Sequence, residues 1–445
     1  VFTTMNPGYA GRTELPDNLK VLFRSVSMMV PDYALIAEIL LFSEGFYLAK
    51  ELAVKLTRLY KLADEQLSRQ QHYDFGMRAV KSILSMAGNL KRANPDSDED
   101  MLLIQAMKDT NIPKFLDVDI KLFEAIVQDL FPGRKNEKVP EPRFLEELKK
   151  TIDSLKLQGT EKFIEKCMQF DEIMKIRFGN MLLGPPMTGK SKVLECLRQT
   201  YTLLSRERVV KGYYPVDMIV INPKSIAMGE LYGETNPKTG DYTNGLASKI
   251  FTDFAVREKQ ELKWIVFDGP VDSLWIENLN SVLDDSMTLC LSNGKRIKLR
   301  LDMRVLFEVQ DLLQASPATV SRIGMVYLDS DVVSPMMLLK NMLEKEFENI
   351  ELPEVHKAFY ISRCDEHFEK LMPFIRKQGK EPLRTINNNL AHSFVKIVKT
   401  FYELDDWKTR FISEDPEEAK KIEETMIGRI FLFATAWSVM ATMDE

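Results

Sequence analysis

The order of apolar and polar positions divides this chain into a helical first part, a β-rich middle and a helical last part. Apolar residues at helical spacing predict helices within residues 33–130, over Tyr33–Lys50, Leu48–Leu67 and a segment that opens at Gly76. The same spacing predicts further helices over about Gly159–Lys175 and, near the end, over Met336–Phe347, Asn387–Phe401 and Arg429–Met443. Two large helical regions therefore flank the middle of the chain.

The middle of the chain carries short apolar runs that alternate with helical stretches. Five of these runs predict strands, at Gly179–Leu183, Asp217–Pro223, Lys263–Gly269, Arg304–Val309 and Ile323–Tyr327. Strands that alternate with helices indicate an α/β fold with a parallel sheet. Residues Met287–Met303 alternate around Asn293-Gly294, a pair that favours a β-hairpin inserted into this sheet.

Composition narrows the class of protein. The chain has 445 residues, enough for roughly two to four domains. Its net charge is −6, so no overall basic character indicates nucleic acid or an anionic membrane as partner. The four cysteines show no C-x-x-C spacing, which favours reduced thiols over a zinc site. No apolar run reaches 18 residues, so we expect no membrane span. The first residue is not Met, and the chain stops after an apolar helix, so we expect a piece of a longer protein.

One stretch fits the phosphate-binding pattern G-x-x-x-x-G-K-[ST], namely Gly184-Pro185-Pro186-Met187-Thr188-Gly189-Lys190-Ser191. It follows a predicted strand and opens a predicted helix. Glycines let the backbone approach phosphate oxygens, and backbone N–H groups point at the negative charge. Lys190 would reach the β- and γ-phosphates, and the Ser191 hydroxyl would ligate magnesium. The alternative is a glycine turn that ends a strand; the complete motif favours a site for ATP or ADP with magnesium.

A second acidic group for the metal is expected at Asp268, which ends the apolar run Trp264–Asp268. In hydrolytic sites the next residue is commonly a glutamate that acts as base, and here it is Gly269. Asp272 and Glu277 follow Pro270 and are further candidates for the base. The sequence therefore predicts a site that binds ATP and turns it over slowly or never.

Four more residues are candidates for contacts with phosphate or with the attacking water. Asn6 lies at the tip of the apolar run Val1–Met5, and Gln310 holds the same position after Arg304–Val309. Asn6 could cap a turn or sense a γ-phosphate. Arg78 could be a surface arginine or a phosphate contact. Arg322 could complement a helix C-terminus or act as a finger for a neighbouring module.

Several segments resemble AAA+ modules of dynein heavy chains. Those similar to the first module are Asn6–Lys20, Met29–Tyr33 and Tyr73–Lys81, and those similar to the second are Phe267–Asp272, Trp275–Asn280 and Ser316–Arg322. The sequences Asp-Gly-Pro-Val-Asp and Ser-Pro-Ala-Thr are more similar to those of axonemal than of cytoplasmic dyneins. The likeness covers nearly the whole chain and weakens after about residue 335.

The resemblance implies roles for these residues. Asn6 and Arg78 fall at sensor positions of a first module whose own P-loop lies upstream, and Arg322 falls at a finger for that module's main hydrolytic site. The second module of the family binds ATP without hydrolysing it. Pro185 and Pro186 depart from this picture because each lacks a backbone donor.

The resemblance also implies an organisation and partners. The expected segments are 1–32, end of the first large subdomain; 33–133, its helical small subdomain; 134–160, a linker; 161–334, the second α/β subdomain; and 335–445, a helical segment. Expected partners are the rest of the motor ring, its linker (touched by the 287–303 hairpin), intermediate and light chains, and microtubules through the parent chain. The expected location is the cytoplasm and cytoskeleton, in the axoneme of a cilium. Two rivals remain: a scaffold stabilised by nucleotide, and an independent AAA+ remodelling ATPase of the midasin type.

Overall fold

The structure is a computed structural model that describes residues 1–4, 16–134, 141–207, 212–236, 238–284, 286–347, 350, 352–383, 385–403 and 416–443. It divides the chain into two compact units. The first comprises Val1–Leu148, Glu165–Gly184 and Lys190–Leu328, and the second comprises Lys149–Ile164, Pro185–Gly189 and Asp329–Glu445. A helical bundle and a parallel sheet together make the first unit, and the second unit is helical.

The bundle of the first unit contains α1 Asp17–Lys20, α2 Tyr33–Ser43, α3 Ala49–Gln66, α4 Met77–Ala93, α5 Glu99–Asn111 and α6 Asp117–Leu130, with a 3-10 turn at Ile112–Lys114. The helix expected over 33–50 ends earlier, at Ser43, and the helix expected over 48–67 begins at Ala49. Gly45 adopts φ +88 between them, a left-handed backbone that ends a helix and suits glycine. The apolar faces of α3 and α4 supply buried residues such as Leu56 and Ile83 to one core.

Seven further helices follow the bundle along the chain: α7 Pro142–Ser154, α8 Glu161–Ile176, α9 Lys190–Glu207, α10 Met228–Tyr232, α11 Leu246–Val256, α12 Ser273–Glu277 and α13 Asn280–Leu283. The range 134–160, expected to be a linker, contains α7. Its residues Phe144, Leu148 and Ile152 recur at intervals of four and are buried. Pro142 opens this helix, where the missing N–H costs nothing.

A five-stranded parallel sheet forms the centre of the first unit, from β1 Gly179–Leu183, β2 Val216–Ile221, β5 Leu262–Asp268, β8 Met303–Val309 and β9 Gly324–Tyr327. The strand order is β2-β5-β8-β1-β9. The five runs expected to be strands are confirmed, and with them the α/β fold class. β1 is buried along its whole length, as expected for a strand covered on both faces.

Two small antiparallel pairs, β3 Gly233–Thr235 with β4 Tyr242–Asn244 and β6 Thr288–Cys290 with β7 Arg296–Lys298, complete the strands. The second pair is the hairpin predicted around Asn293-Gly294, and Gly294 has the positive φ of +81 that its turn requires. Leu289 and Ile297 on one face of this hairpin lie in the core of the sheet. Arg296 and Lys298 on the other face are exposed.

The bundle contacts the sheet at β9. The 3-10 turn Ile112–Lys114 packs against this strand. The His72 ring stacks on the ring of Tyr327, with centroids 5.1 Å apart and planes 7° apart, while His72 Nε2 lies 2.9 Å from the Lys114 carbonyl oxygen. A short helix, α14 Pro317–Val320, precedes β9. Ring stacking and the backbone contact together hold the bundle against the edge of the sheet.

The second unit contains α15 Pro335–Lys345, α16 Glu354–Gln378, α17 Asn387–Tyr402 and α18 Pro416–Ser438. Its core includes Leu339, Phe394 and Phe431. Within the described residues, Lys420–Thr442 is long and apolar enough to cross a membrane by length and composition. Its residues Ile427, Phe431 and Ala434 are buried in this core, and a core helix of a globular protein meets the same two criteria.

The His72 contact predicts a pH dependence of stability. Burial lowers the pKa of His72 to about 4, from 6.5 in a free histidine. Between these values the unfolded chain binds a proton that the folded chain does not. The free energy of unfolding should therefore fall as the pH falls from 6.5 towards 4, by up to about 1.4 kcal/mol per pH unit from this group.

Denaturant unfolding of the wild type and His72→Gln across this range measures the effect. The difference in stability between the two proteins should shrink as the pH falls. His367→Gln is the control, since His367 lies at the surface with its side chain 42% exposed. A difference that is constant between pH 7 and pH 4.5 would contradict the buried, neutral state of His72.

Candidate functional site

The predicted P-loop connects β1 to α9, as its motif requires. Gly184 has φ +155, and a Cβ at this position would lie only 2.2 Å from the Leu328 carbonyl oxygen. Gly189 has φ +92, and Met187 has φ +62, a left-handed conformation that non-glycine residues adopt at some cost. The two glycines of the motif therefore occupy backbone conformations that other residues rarely adopt.

Lys190 and Ser191 begin α9, an 18-residue helix. Lys190 Nζ donates a 2.7 Å hydrogen bond to the Gly184 carbonyl oxygen. Burial lowers the pKa of Lys190, while the nearby Glu308 and Asp268 carboxylates act in the opposite direction. The N-terminus of a long helix and a lysine amine in the same place are the elements of a phosphate site.

The carboxyl ends of β5 and β8 bring two acidic residues to this edge of the sheet. In the register of these strands Asp268 pairs with Glu308, and Glu308 pairs with Leu182 of β1 on its other side. Glu308 is 7% exposed and accepts a 2.5 Å hydrogen bond from Ser191 Oγ. Burial raises the pKa of Glu308, and the neighbouring Asp268 charge adds to this effect. Gln310 follows directly after β8 and is exposed.

The structure also locates the residues considered as a base. A Cβ at Gly269 would lie 3.1 Å from Asn222 Oδ1, so a glutamate here would require a small shift of Asn222. Asp272 is engaged elsewhere: it accepts from the Leu274 backbone N–H at 2.9 Å and from Lys224 Nζ at 2.7 Å. The N–H bond and Lys224 hold the pKa of Asp272 low, and the carboxylate caps α12; its role as a base stays a prediction.

Glu277 differs from Asp272. Its Oε1 atom is buried and has no hydrogen-bond partner among the described residues. A buried acceptor without a partner is costly, so this oxygen suits a hydrogen-bond donor such as a bound water. Its role as a base stays a prediction.

The tip of the P-loop, Pro185–Gly189, belongs to the second compact unit. Thr188 Oγ1 donates to the Pro185 carbonyl oxygen at 2.9 Å. Asn388, 3% exposed on α17, donates to the carbonyl oxygens of Met187 at 3.1 Å and Val333 at 2.9 Å. Asn388 therefore holds the loop in its left-handed turn at Met187.

The oxygen groups at this edge fit magnesium. Ser191 contributes a hydroxyl, and Asp268 and Glu308 contribute carboxylates, the hard oxygen ligands that Mg²⁺ prefers when one or two carboxylates act together with phosphates. The backbone cradle of Gly184 would be filled by any Cβ. These observations support a nucleotide–magnesium site.

A second group of candidate residues meets in another part of the first unit. Arg78 Nη1 donates to Ser321 Oγ at 3.2 Å, although the two residues are 243 positions apart. Next to Ser321, Arg322 Nε donates to Asp284 Oδ1 at 2.6 Å, and its Nη1 donates to the Ala318 carbonyl oxygen at 2.7 Å. Arg78 and Arg322 are thus neighbours. Asn6 lies outside the described residues.

Three residues of these groups were absent from the sequence-based candidates: Glu308, Asn388 and Asp284. Glu308 had a detectable signal, since a carboxylate inside the apolar run Val305–Val309 must find a partner when buried. Asn388 stands among three asparagines that look like a helix start, and Asp284 has no distinctive neighbours in the sequence. Only the fold shows what these two contact.

Comparison with known proteins identifies the family. Residues 1–191 match the family described as "Hydrolytic ATP binding site of dynein motor region", and residues 361–445 match "Dynein heavy chain AAA lid domain". Dynein axonemal heavy chain 1 of Homo sapiens is 46% identical over 455 residues, which cover 100% of this chain and 10% of the relative. Dynein axonemal heavy chain 12 of Mus musculus is 52% identical over 329 residues, 74% of this chain and 11% of the relative.

The chain thus spans about a tenth of the length of the curated relatives it matches. The parallel sheet, the P-loop between β1 and α9, and the helical second unit agree with the AAA+ fold that these two families imply. The chain belongs to the dynein heavy chains, of the axonemal type, and carries part of their AAA+ region.

Proposed function

We propose that this chain is a segment of an ATP-driven, microtubule-based motor ring, with the end of a first AAA+ module followed by a second module that binds ATP with magnesium and hydrolyses little or none of it. The observation that carries the proposal is the arrangement at the carboxyl edge of the sheet. Lys190, Ser191 and Asp268 lie together at this edge and supply the amine and oxygen groups that would bind phosphate and magnesium. Gly269 supplies no base next to Asp268.

The second part of the proposal concerns the preceding module. Arg322 would serve as a finger for that module's ATPase site, and Arg78 and Asn6 would act as its sensors. The contact of Arg78 with Ser321, next to Arg322, supports a shared site for the two guanidinium groups. Two guanidinium groups that reached the same γ-phosphate would stabilise the charge that spreads over its oxygens during transfer.

Arg322 is held in the structure by Asp284, whose side chain is 42% exposed, against 14% for Arg322. A guanidinium that is already oriented loses less entropy when it binds an anion. Asp284 would keep Arg322 extended, and a phosphate from the neighbouring site would then compete with this carboxylate. Closure of the ring around ATP at the preceding module's site would be transmitted through Arg322 and the elements that hold it.

The partners follow from the family as proposals. They are the rest of the heavy chain ring and its linker, intermediate and light chains, and microtubules reached through the parent chain, in a ciliary axoneme. Two alternatives are tested by the experiments below: a scaffold module that nucleotide only stabilises, and an independent remodelling ATPase of the midasin type.

The proposal that the second module binds ATP without hydrolysing it is tested by identifying the nucleotide retained at this site. Intact motor is incubated with magnesium ATP, free nucleotide is removed, and the retained nucleotide is identified by chromatography. We expect the retained nucleotide to be ATP. Lys190→Ala should abolish its retention, because the amine that would contact the phosphates is lost. Lys192→Ala is the matched control, since Lys192 is 46% exposed on the same helix. Retained ADP would show that a base other than residue 269 acts here.

The role of Arg322 predicts a loss of ATPase activity in the intact motor. Arg322→Ala should lower the turnover number on the order of a thousandfold, the effect expected for an arginine finger. Arg363→Ala provides the comparison, because Arg363 lies at the surface, where it pairs with the exposed Glu366 and lies over the Phe359 ring. If Arg322→Ala left turnover unchanged, the scaffold alternative would be favoured.

The hairpin β6–β7 is proposed to contact the linker through its exposed face. Deleting the hairpin would also remove Leu289 and Ile297 from the core, so a surface charge reversal is the sharper change. Lys298→Glu should slow motility and leave nucleotide retention unaltered. Lys259→Glu, at an exposed position outside the hairpin, is the control. Equal motility of the two variants would refute the contact.

A further inference from the structure

Glu308 is a carboxylate in an unusual position. It lies in β8, between β5 and β1, and only 7% of it is exposed. Its Oε2 atom accepts the hydrogen bond of the Ser191 hydroxyl at 2.5 Å. Buried carboxylates are rare unless they are paired, so the position of this side chain calls for a partner of opposite charge.

The bond from Ser191 determines which way its hydroxyl faces. A serine hydroxyl has one hydrogen and two lone pairs. Because the hydrogen is given to Glu308, both lone pairs of Ser191 Oγ are left for a cation, which is the role of this hydroxyl in a P-loop. In this structure the acceptor that orients Ser191 is Glu308, on the strand next to the one that carries Asp268.

The two carboxylates also define the charge of the site. Asp268 and Glu308 are register partners on neighbouring strands, which lie about 4.8 Å apart in a sheet. Lys190 is a cation close to both carboxylates. A nucleotide without a metal would bring further negative charge to this pair, and the repulsion would be strong in a partly buried site. A divalent cation bound between the carboxylates and the phosphates would replace this repulsion by attraction.

The segment proposed to end the first module differs in sequence from β8 at this position. Aligning the strand tips at Asn6 and Gln310 places Thr4 opposite Glu308. A threonine there is neutral, so the additional carboxylate belongs to the site at residues 184–191 and is absent from the preceding segment. The extra negative charge of Glu308 therefore distinguishes the nucleotide site at residues 184–191 from the proposed site of the preceding module.

We propose that Glu308 is a positioning residue that makes nucleotide retention at residues 184–191 dependent on a divalent cation. It orients the Ser191 hydroxyl towards the metal and, together with Asp268, disfavours nucleotide that lacks one. The inference rests on the proposed function, since it requires that this P-loop bind nucleotide. Removal of the cation would then release nucleotide from this site quickly.

The test measures release of ATP from the intact motor, with Lys190→Ala motor subtracted so that only this site is counted. Release is followed in magnesium and after addition of EDTA. Wild-type motor should release its Lys190-dependent nucleotide much faster in EDTA than in magnesium. In Glu308→Gln the ratio of the two release rates should fall by about tenfold or more, because one of the two negative charges is gone.

The glutamine variant keeps an amide oxygen that can accept the Ser191 hydrogen bond, so the fold is preserved. Glu258→Gln, at an exposed position of the same unit, is the matched control and should keep the wild-type ratio. An unchanged ratio in Glu308→Gln overturns the inference. If that variant changes only the conversion of retained ATP to ADP, Glu308 is a base instead. If wild-type motor holds no Lys190-dependent nucleotide, the proposed function itself fails, and this inference with it.

Discussion

The parallel register of β5, β8 and β1 is the constraint on which the candidate nucleotide site depends. These strands are covered on both faces, and each ends at the same edge of the sheet. The register sets Asp268 beside Glu308 and Glu308 beside Leu182, one residue before the P-loop strand ends. Because a slip of one residue moves every side chain to the opposite face, burial of the apolar residues fixes the positions of the polar ones.

The polar groups at this edge have hydrogen-bond partners within the protein. Lys190 bonds to the Gly184 carbonyl oxygen, and Ser191 bonds to Glu308. The same holds for Arg322, which pairs with Asp284. A buried polar atom without a partner is costly, so these internal contacts stabilise the polar groups at this edge.

Much of the fold could be predicted from local patterns. The five strand runs, the hairpin at Asn293-Gly294 and the P-loop follow from apolar periodicity and from glycine positions. Other features depend on contacts between distant residues: Arg78 meets Ser321 across 243 positions, and Ser191 meets Glu308 across 117. No local pattern encodes these distances. The end of α2 before Gly45 had a local signal in the glycine, but the continuous apolar character of residues 33–50 favoured a longer helix. The helix Pro142–Ser154 had an apolar repeat, but the nearby prolines favoured a linker.

The stacking of His72 on Tyr327 has a consequence for solubility. β9 is the last strand of the sheet, and among the described residues no strand pairs with the other side of its backbone. Exposed strand edges of this kind pair readily with other chains and lead to aggregation. The turn Ile112–Lys114 and the His72 ring cover β9 from the bundle side. The bundle thus shields the β9 edge from edge-to-edge association, and a shortened chain that began at residue 161 would present β9 to other molecules.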